Sequence, residues 1–359
     1  MMPLHGASIE ATYKAYDVAM PKGKIIDFST NTNSLTLPES IHKEWQTMTK
    51  DIQCINQYPA SEYEDLLNAL ANNHDMSQDQ VMITNGTNEA IYLLASYLAG
   101  ARVGIIEPTY PEYLRAMSAY DAKCVHIDWK ELAQGLVDFS VLDTLILCNP
   151  NNPTGQYMNQ DQLGYLIEET KKNHVQIILD QAYVDFLSLR TQDISDLAKE
   201  WIKNYPHLII LRSLTKIFKI PGIRLGYVMG NPQVIKQLQK RQPSWSVNRL
   251  ALSIGIKLID ETGYIEKTKV YYRQERERIT KILSSQGWEV IPSEVNFFMI
   301  KTEEADKLIR WCLKRGLVLR HTKNHQGLKG KYVRIGLQRP EENTVLTHAF
   351  SEYRQTIER

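Results

Sequence analysis

The chain has 359 residues, with 42 lysines and arginines against 41 aspartates and glutamates, and 43% of it is hydrophobic. That length is enough for a large core and points to two domains rather than one. A formal net charge of +1 gives no bulk attraction to nucleic acid or to an anionic membrane, and no apolar run approaches the roughly 18 residues of a membrane span.

The opening stretch MMPLHGASIE has no basic region followed by an apolar run, so no secretory signal is expected. The first 35 residues or so are irregular and expected to fold back onto another part of the chain. From about Gln80 to Gly230 short β-rich runs alternate with amphipathic segments. The runs are VMIT (81–84), VGIIE (103–107), CVHI (124–127), TLILC (144–148), VQIILD (175–180) and LIILR (208–212). Near-continuous apolar strands between helices predict an α/β fold with a mainly parallel sheet covered on both faces. Beyond about Pro243 a long polar helix leads to VNFFMIK, a further helix and KYVRIGL, which predicts a smaller α+β domain. The division expected is an arm over 1–35 that joins the small domain, a large domain over 36–243 and the small domain over 244–359. Four scattered cysteines, Cys54, Cys124, Cys148 and Cys312, form no CxxC pair. They read as buried thiols of a reducing, cytoplasmic protein.

In an open α/β sheet, ligands sit beyond the carboxyl ends of the strands, so the residues after each strand carry the chemistry. VMIT is followed by NGTNEA. Asn85-Gly86 makes a tight turn, and Thr87 and Asn88 open a helix whose free N–H groups suit a phosphate. Alone, the stretch also reads as a simple turn with Thr87 as N-cap. VGIIE is followed by PTYPEY, which sets Tyr110 over the same edge, either to stack on a flat ring or merely to pack. TLILC is followed by NPNNPTG, a rigid loop that holds Asn152 in one orientation. VQIILD ends in Asp180, a carboxylate on an apolar strand that demands a cationic partner, and Tyr183 follows three residues later. LIILR is followed by Ser213 and Lys216, with Arg224 eight residues beyond the lysine, past Pro221-Gly222.

One edge thus gathers a phosphate-binding helix start, an aromatic ring, an asparagine, a strand-end aspartate, a tyrosine and a Ser-x-x-Lys. A cofactor with a phosphate, a flat ring, a basic ring nitrogen and an electrophilic carbonyl would use each of them. That describes pyridoxal 5′-phosphate. A lysine near cations and away from bulk water has a lowered pKa, which favours imine chemistry, and a freed Lys216 is the natural base for moving a proton.

NPNNPTG, ILDQAY and SLTKIFKIPGIRLGY, in this order and spacing, resemble the fold-type I, class I/II pyridoxal-phosphate aminotransferases. Within them the chain is most similar to the branch of histidinol-phosphate aminotransferase and threonine-phosphate decarboxylase, over nearly its whole length. The resemblance implies that 36–243 is the cofactor-binding domain, around an aminotransferase-like, mainly parallel sheet. It implies that Lys216 holds the cofactor as a Schiff base, that Asp180 pairs with the ring nitrogen, and that Asn152 and Tyr183 bond the ring's phenolic oxygen. Tyr110 would stack on the ring, and the phosphate would lie on Gly86, Thr87, Asn88, Ser213 and Arg224. Lys216, Asp180 and Tyr183 are then the catalytic candidates. Tyr58, in QYP, would reach the phosphate of the neighbouring subunit, which implies a homodimer with shared active sites. Arg334 in YVRIGL would clamp the substrate carboxylate, a bidentate task suited to its planar fork.

LHGASIEA, DFSTNTNSL, PSWSVNRLA and LVLRHTKNHQGLKGKYVRIGL resemble the decarboxylase branch. This implies substrate contacts for His5 and Asn31, and for Arg320 on a substrate phosphate. HGAS stands where that pattern has His-Gly-Gly-Asn, NTNS where it has Asn-x-Asn-Pro, and DQA where it has Asp-Glu-Ala; these departures touch the substrate end. The activity implied is transfer between a small-molecule amino donor and a keto acceptor, through a Schiff base and a 1,3-proton shift, on an amino acid or phosphorylated amino compound. The alternative is decarboxylation of an O-phospho amino acid, and which bond to Cα stands perpendicular to the ring decides between them.

Other stretches read more plainly. RQERERITK is expected to be a solvated helix face. His321 and His325, four apart in HTKNH, could share a helix face, but without an acidic third ligand no metal site is expected. Trp245 reads equally as pocket lining or as packing. Arg212 and Lys219 have no assigned role.

Overall fold

A computed structural model describes residues 2–50, 56–59, 63–187 and 198–357. Strand β1 (Ile26–Asp27) lies apart from the central sheet. That sheet has seven strands: β2 (Val81–Thr84), β3 (Arg102–Glu107), β4 (Lys123–Asp128), β5 (Thr144–Cys148), β6 (Gln176–Asp180), β7 (Leu208–Ser213) and β8 (Gly226–Gly230). Their order is β2-β8-β7-β6-β5-β3-β4. The pairs from β7 through β4 are parallel, and β8 runs antiparallel to both of its neighbours. The sheet is therefore mainly parallel, as its apolar runs predict. Strand β8, GYVMG, is an addition to the expected set.

The central strands are apolar throughout because both faces are covered. In β5, Leu145 and Leu147 face the cluster that holds Leu163, Ile167 and Trp201. Ile146 and Cys148 face the other side, toward Ile91, Leu94, Tyr113 and Met117 of helices Gly86–Tyr97 and Glu112–Ala119. The cover stops at the edge: in β4 only Ile127 is buried, so CVHI is not a strand enclosed on both faces.

The C-terminal body holds β9 (Glu289–Ile291), β10 (Phe297–Lys301), β11 (Leu317–Val318), β12 (Arg320–His321) and β13 (Tyr332–Gly336). Four of these form an antiparallel sheet in the order β12-β13-β10-β9. The fifth, β11, pairs in parallel with β1, with Ile26 beside Leu317. The N-terminal residues are more regular than expected, with a helix at Ile9–Ala15. Tyr13 within it and Tyr16 at its C-cap are 2% and 1% exposed. Their hydroxyls donate to the Leu313 carbonyl (2.9 Å) and to Asp306 (3.1 Å).

The expected solvated face of RQERERITK is corrected in part. It lies on helix Thr262–Ser285, which packs between β9 and helix Pro340–Ile357. Glu275 and Arg276 are consequently 5% and 7% exposed. Arg276 donates to Glu294 (3.1 Å) and the Val295 carbonyl (3.2 Å), and Glu275 accepts from Arg278 (2.5 Å) and Asn343 (2.9 Å). Paired in this way, buried charges are tolerated. Cys148 and Cys312 are buried and Cys124 is half-buried, while Cys54 lies outside the described residues. Among the described residues no helix is long and apolar enough to cross a membrane.

Candidate active site

Strands β6 and β7 are neighbours, with Asp180 beside Leu211, so the end of β6 and the turn after β7 share one edge. Asp180 is 3% exposed. One of its oxygens accepts from the Tyr113 hydroxyl at 2.7 Å, and the other from the Ala182 N–H at 2.9 Å. Burial pushes its carboxyl upward, and these two bonds and the Lys216 charge pull against that. Tyr113 sits inside the PTYPEY stretch, so the signal for it was present beside Tyr110.

Lys216 lies on the single helical turn Leu214–Ile217, entered from β7 through Ser213. It opens into a cavity of about 190 Å³. Burial, reinforced by the charges of Arg224 and Arg334 and opposed by Asp180, lowers its ammonium to about 8.

The helix that follows β2 starts at Gly86, after an Asn85 whose side chain makes no cap bond, so its first N–H groups stay free. The N-cap is therefore Asn85, two residues before the expected Thr87. Gly86 has φ +74°, and a Cβ there would lie 2.5 Å from Nη2 of Arg224. Glycine is what lets the guanidinium rest on the helix start. Arg224, itself at φ 60°, donates to the Pro221 carbonyl at 3.1 Å. A Cβ on Gly226 would lie 2.9 Å from the Thr87 nitrogen, so β8 presses closely on the same turn. Asn88 accepts from the Tyr110 hydroxyl at 3.1 Å. Ser213 Oγ lies 2.9 Å from Thr215 Oγ1.

Tyr110, Asn152, Tyr183 and Arg334 line the cavity, as do His5, Asn31 and Arg320. Arg334 is 6% exposed. Its Nη1 donates to Asn152 at 2.5 Å and its Nη2 to the Ser29 carbonyl at 2.7 Å. Burial lowers it to about 10. Burial also pushes the Tyr183 phenol up, against the pull of Arg334. Asn31 donates to the Tyr183 hydroxyl at 3.4 Å. Nε of Arg334 and Oδ1 of Asn31 are both buried without a hydrogen-bond partner. An orphaned donor and an orphaned acceptor on residues lining one cavity mark it as a ligand site.

The N-terminal segment walls this cavity. Pro3 and Leu4 present their carbonyls to Arg320 at 3.0 and 2.6 Å. Arg320 also bonds His321 Nε2 (2.8 Å) and Asn324 (2.9 Å), and burial with the Arg334 charge pushes it down to about 9. His5 is bonded to the buried carboxylate of Glu112 at 2.9 Å, and its ring lies 5.6 Å from that of Tyr110. Glu112 escaped the sequence reading because nothing local marks it.

Two expectations concern residues around the cavity. Tyr58 is 75% exposed and stands outside its own chain's cavity, its ring 4.6 Å from that of Trp245. Trp245 therefore packs on Tyr58 and does not line the cavity. His321 ends β12 and His325 lies in the following loop, so the pair does not share a helix face. Arg212, without an assigned role, is 5% exposed and forms an ion pair with Asp185 at 2.8 Å beneath the edge. A larger groove of about 1340 Å³, between helices Gln160–Lys172 and Thr262–Ser285, contains none of the residues that converge on Lys216.

A buried strand-end carboxylate, a lysine on the turn after the adjacent strand and an arginine resting on a glycine helix start, all at one edge of this sheet, define a fold-type I pyridoxal-phosphate enzyme. The cradle at Gly86, where a side chain would collide with Arg224, fits a phosphorylated cofactor, and the orphaned Nε–H of Arg334 fits an anionic substrate group, while the orphaned Oδ1 of Asn31 is left for a donor such as an amine. Residues 23–350 match the family model for aminotransferase class I and II, and the chain belongs to that pyridoxal-phosphate-dependent family. Threonine-phosphate decarboxylase of Salmonella typhimurium is 30% identical over 357 residues, spanning 96% of this chain and 95% of the relative. The crystal structure of histidinol-phosphate aminotransferase from Clostridium acetobutylicum is similar with a TM-score of 0.83 at 27% identity, covering 92% of this chain and 99% of that one. That of L-threonine-O-3-phosphate decarboxylase from Porphyromonas gingivalis has a TM-score of 0.82 at 27% identity, covering 91% and 98%.

Proposed function

We propose that the protein is an aminotransferase that moves the amino group of a phosphorylated amino compound to a keto acceptor. The observation that carries this reading is Arg334 tied to Asn152 at 2.5 Å. Two of the five guanidinium donors are used by Asn152 and Ser29, which leaves three for a substrate carboxylate. Loss of CO₂ turns a carboxylate into a neutral molecule, so a clamp that favours the anion opposes that step. Loss of the α-hydrogen leaves the clamp intact and gains from it.

When bound, pyridoxal phosphate supplies an electron sink for the pair released at Cα. In this reading Lys216 Nζ, neutral above about pH 8, takes the proton from Cα and returns one. Asp180 would keep a proton on the ring nitrogen, Asn152 and Tyr183 would bond the phenolic oxygen, and Tyr110 would pack on the ring. Gly86, Thr87, Asn88, Ser213 and Arg224 would hold the phosphate. His5, Asn31 and Arg320 serve the far end of the substrate. The division into arm, large cofactor-binding domain and small domain belongs to the same reading, supported by the pairing of β1 with β11.

A second reading, decarboxylation of an O-phospho amino acid, is favoured by the Salmonella relative that covers 96% of the chain. A substrate panel separates the two. The loaded enzyme is given histidinol phosphate, O-phospho-L-threonine, O-phospho-L-serine and glutamate, and both carbonyl product and CO₂ are measured. The expected result is amino transfer to 2-oxoglutarate without CO₂. Stoichiometric CO₂ from O-phospho-L-threonine in the absence of any keto acid would establish the decarboxylase instead.

The same reading includes a cytoplasmic homodimer in which Tyr58 serves the neighbour's cofactor phosphate, supported by its 75% exposure outside its own cavity. Tyr58→Phe is expected to weaken cofactor retention about tenfold, the worth of one charge-assisted hydrogen bond. Sedimentation of the active wild type as a monomer would contradict the shared site.

A further inference from the structure

The roles above leave out His325. This residue is 4% exposed, and it lines the same cavity as Lys216 and Arg334. Its loop is fixed by its own N–H, which donates to the Thr322 carbonyl at 3.0 Å. Its Nδ1 is nevertheless buried with no hydrogen-bond partner. An unpartnered polar nitrogen in the wall of a binding cavity is unfavourable until something in the cavity completes it.

The surroundings say what that something is. The charges that bear most on His325 are those of Arg320 and Arg334, and no carboxylate stands among them; His321, lowered to about 4 by burial and Arg320, is neutral beside it. Burial first, and then the Arg320 and Arg334 charges, hold the imidazole neutral, and the two guanidiniums make this part of the cavity a cationic field. Arg320 already spends its Nη1 and Nη2 on the Pro3 and Leu4 carbonyls, His321 and Asn324. It contributes charge here more than free donors. A neutral imidazole supplies the complement, one directed N–H and one acceptor nitrogen.

We propose that His325 is a substrate ligand whose imidazole hydrogen-bonds the anionic group at the far end of the substrate, and that with Arg320 it discriminates a phosphorylated amino compound from its unphosphorylated counterpart. The assignment rests on the phosphorylated-substrate reading. A site built to hydrogen-bond one substrate group rejects the analogue that lacks it, because its own buried polar atoms are then left unpaired.

The test uses the loaded wild-type enzyme with His325→Phe and His325→Gln, each checked for the cofactor's visible absorption band. Discrimination is the ratio of kcat/KM for O-phospho-L-threonine over L-threonine, or for histidinol phosphate over histidinol, whichever pair the wild type turns over. The ratio is expected to fall about tenfold in His325→Phe and by less in His325→Gln, which keeps an amide donor. In the wild type the His325 imidazole NMR resonance, identified by its loss in His325→Gln, is expected to move on adding the phosphorylated compound and to stay with the unphosphorylated one. Discrimination that survives within twofold in both variants, with an unmoved resonance, overturns the His325 assignment alone. A wild type that fails to discriminate overturns the phosphorylated-substrate reading, and this inference with it.

Discussion

Lys216→Ala is expected to lower turnover by roughly 10⁴-fold or more and to leave a folded protein. The lysine side chain makes no hydrogen bond among the described residues; its backbone carbonyl accepts from the Asn33 N–H at 2.9 Å and the Lys219 N–H at 3.4 Å. Its removal therefore breaks nothing in the fold. No neighbour can take over the proton: the Tyr183 phenol is pushed above its ordinary range, and Asp180 is held by Tyr113 and the Ala182 N–H. The same lysine sets a pH dependence. Burial and the charges of Arg224 and Arg334 disfavour the ammonium, so the free amine predominates above about 8 where an exposed lysine would need about 10.5. Below that point each pH unit removes about nine-tenths of the reactive amine. Cofactor uptake by the stripped enzyme, followed by the growth of its visible band, is expected to rise with pH and level off near 8. A rate still climbing at pH 10 would contradict the lowered pKa, and a coloured, borohydride-fixable Lys216→Ala protein would remove the lysine from its role.

Asp180→Asn is expected to lower kcat by roughly 10³-fold at nearly unchanged thermal stability. The amide oxygen can still accept from the Ala182 N–H, and the Tyr113 hydroxyl can turn to accept from the amide nitrogen, so the buried network is preserved. Only the negative charge is lost, and with it the means of keeping the ring nitrogen protonated. Asp180→Ala would do the same to turnover while stranding the Tyr113 hydroxyl, a cost of roughly 1–3 kcal/mol in stability. Calorimetry and single-turnover kinetics on the pair separate the two effects. An Asp180→Asn enzyme with wild-type kcat would remove the carboxylate from the chemistry.

Much of this edge was legible in the sequence because central parallel strands are buried on both faces and so appear as unbroken apolar runs. Asp180 stood out for the same reason, as a charge ending such a run. The β8 strand Gly226–Gly230 did not, since five residues bounded by glycines look like a loop, and its antiparallel sense follows from pairing partners that no local pattern reveals. The edge strand β4 carried the pattern of a core strand without the cover. Contacts between distant segments were beyond reach: Glu112 receives His5 across 107 positions, and Arg320 receives Leu4 across 316. Nothing in HTKNH itself marks His325 as buried, so it read as one of a pair of histidines four apart.

The segment Pro3–His5 and the arginines at 320 and 334 come from opposite ends of the chain yet wall a single cavity. During synthesis Lys216 and Asp180 emerge well before Arg334, by a delay on the order of ten seconds at ordinary elongation rates. The residues of one chain assigned to the cofactor are therefore all synthesised while the substrate end, begun with His5 and Asn31, still lacks both of its arginines. A nascent chain could capture its cofactor before it can recognise anything to use it on.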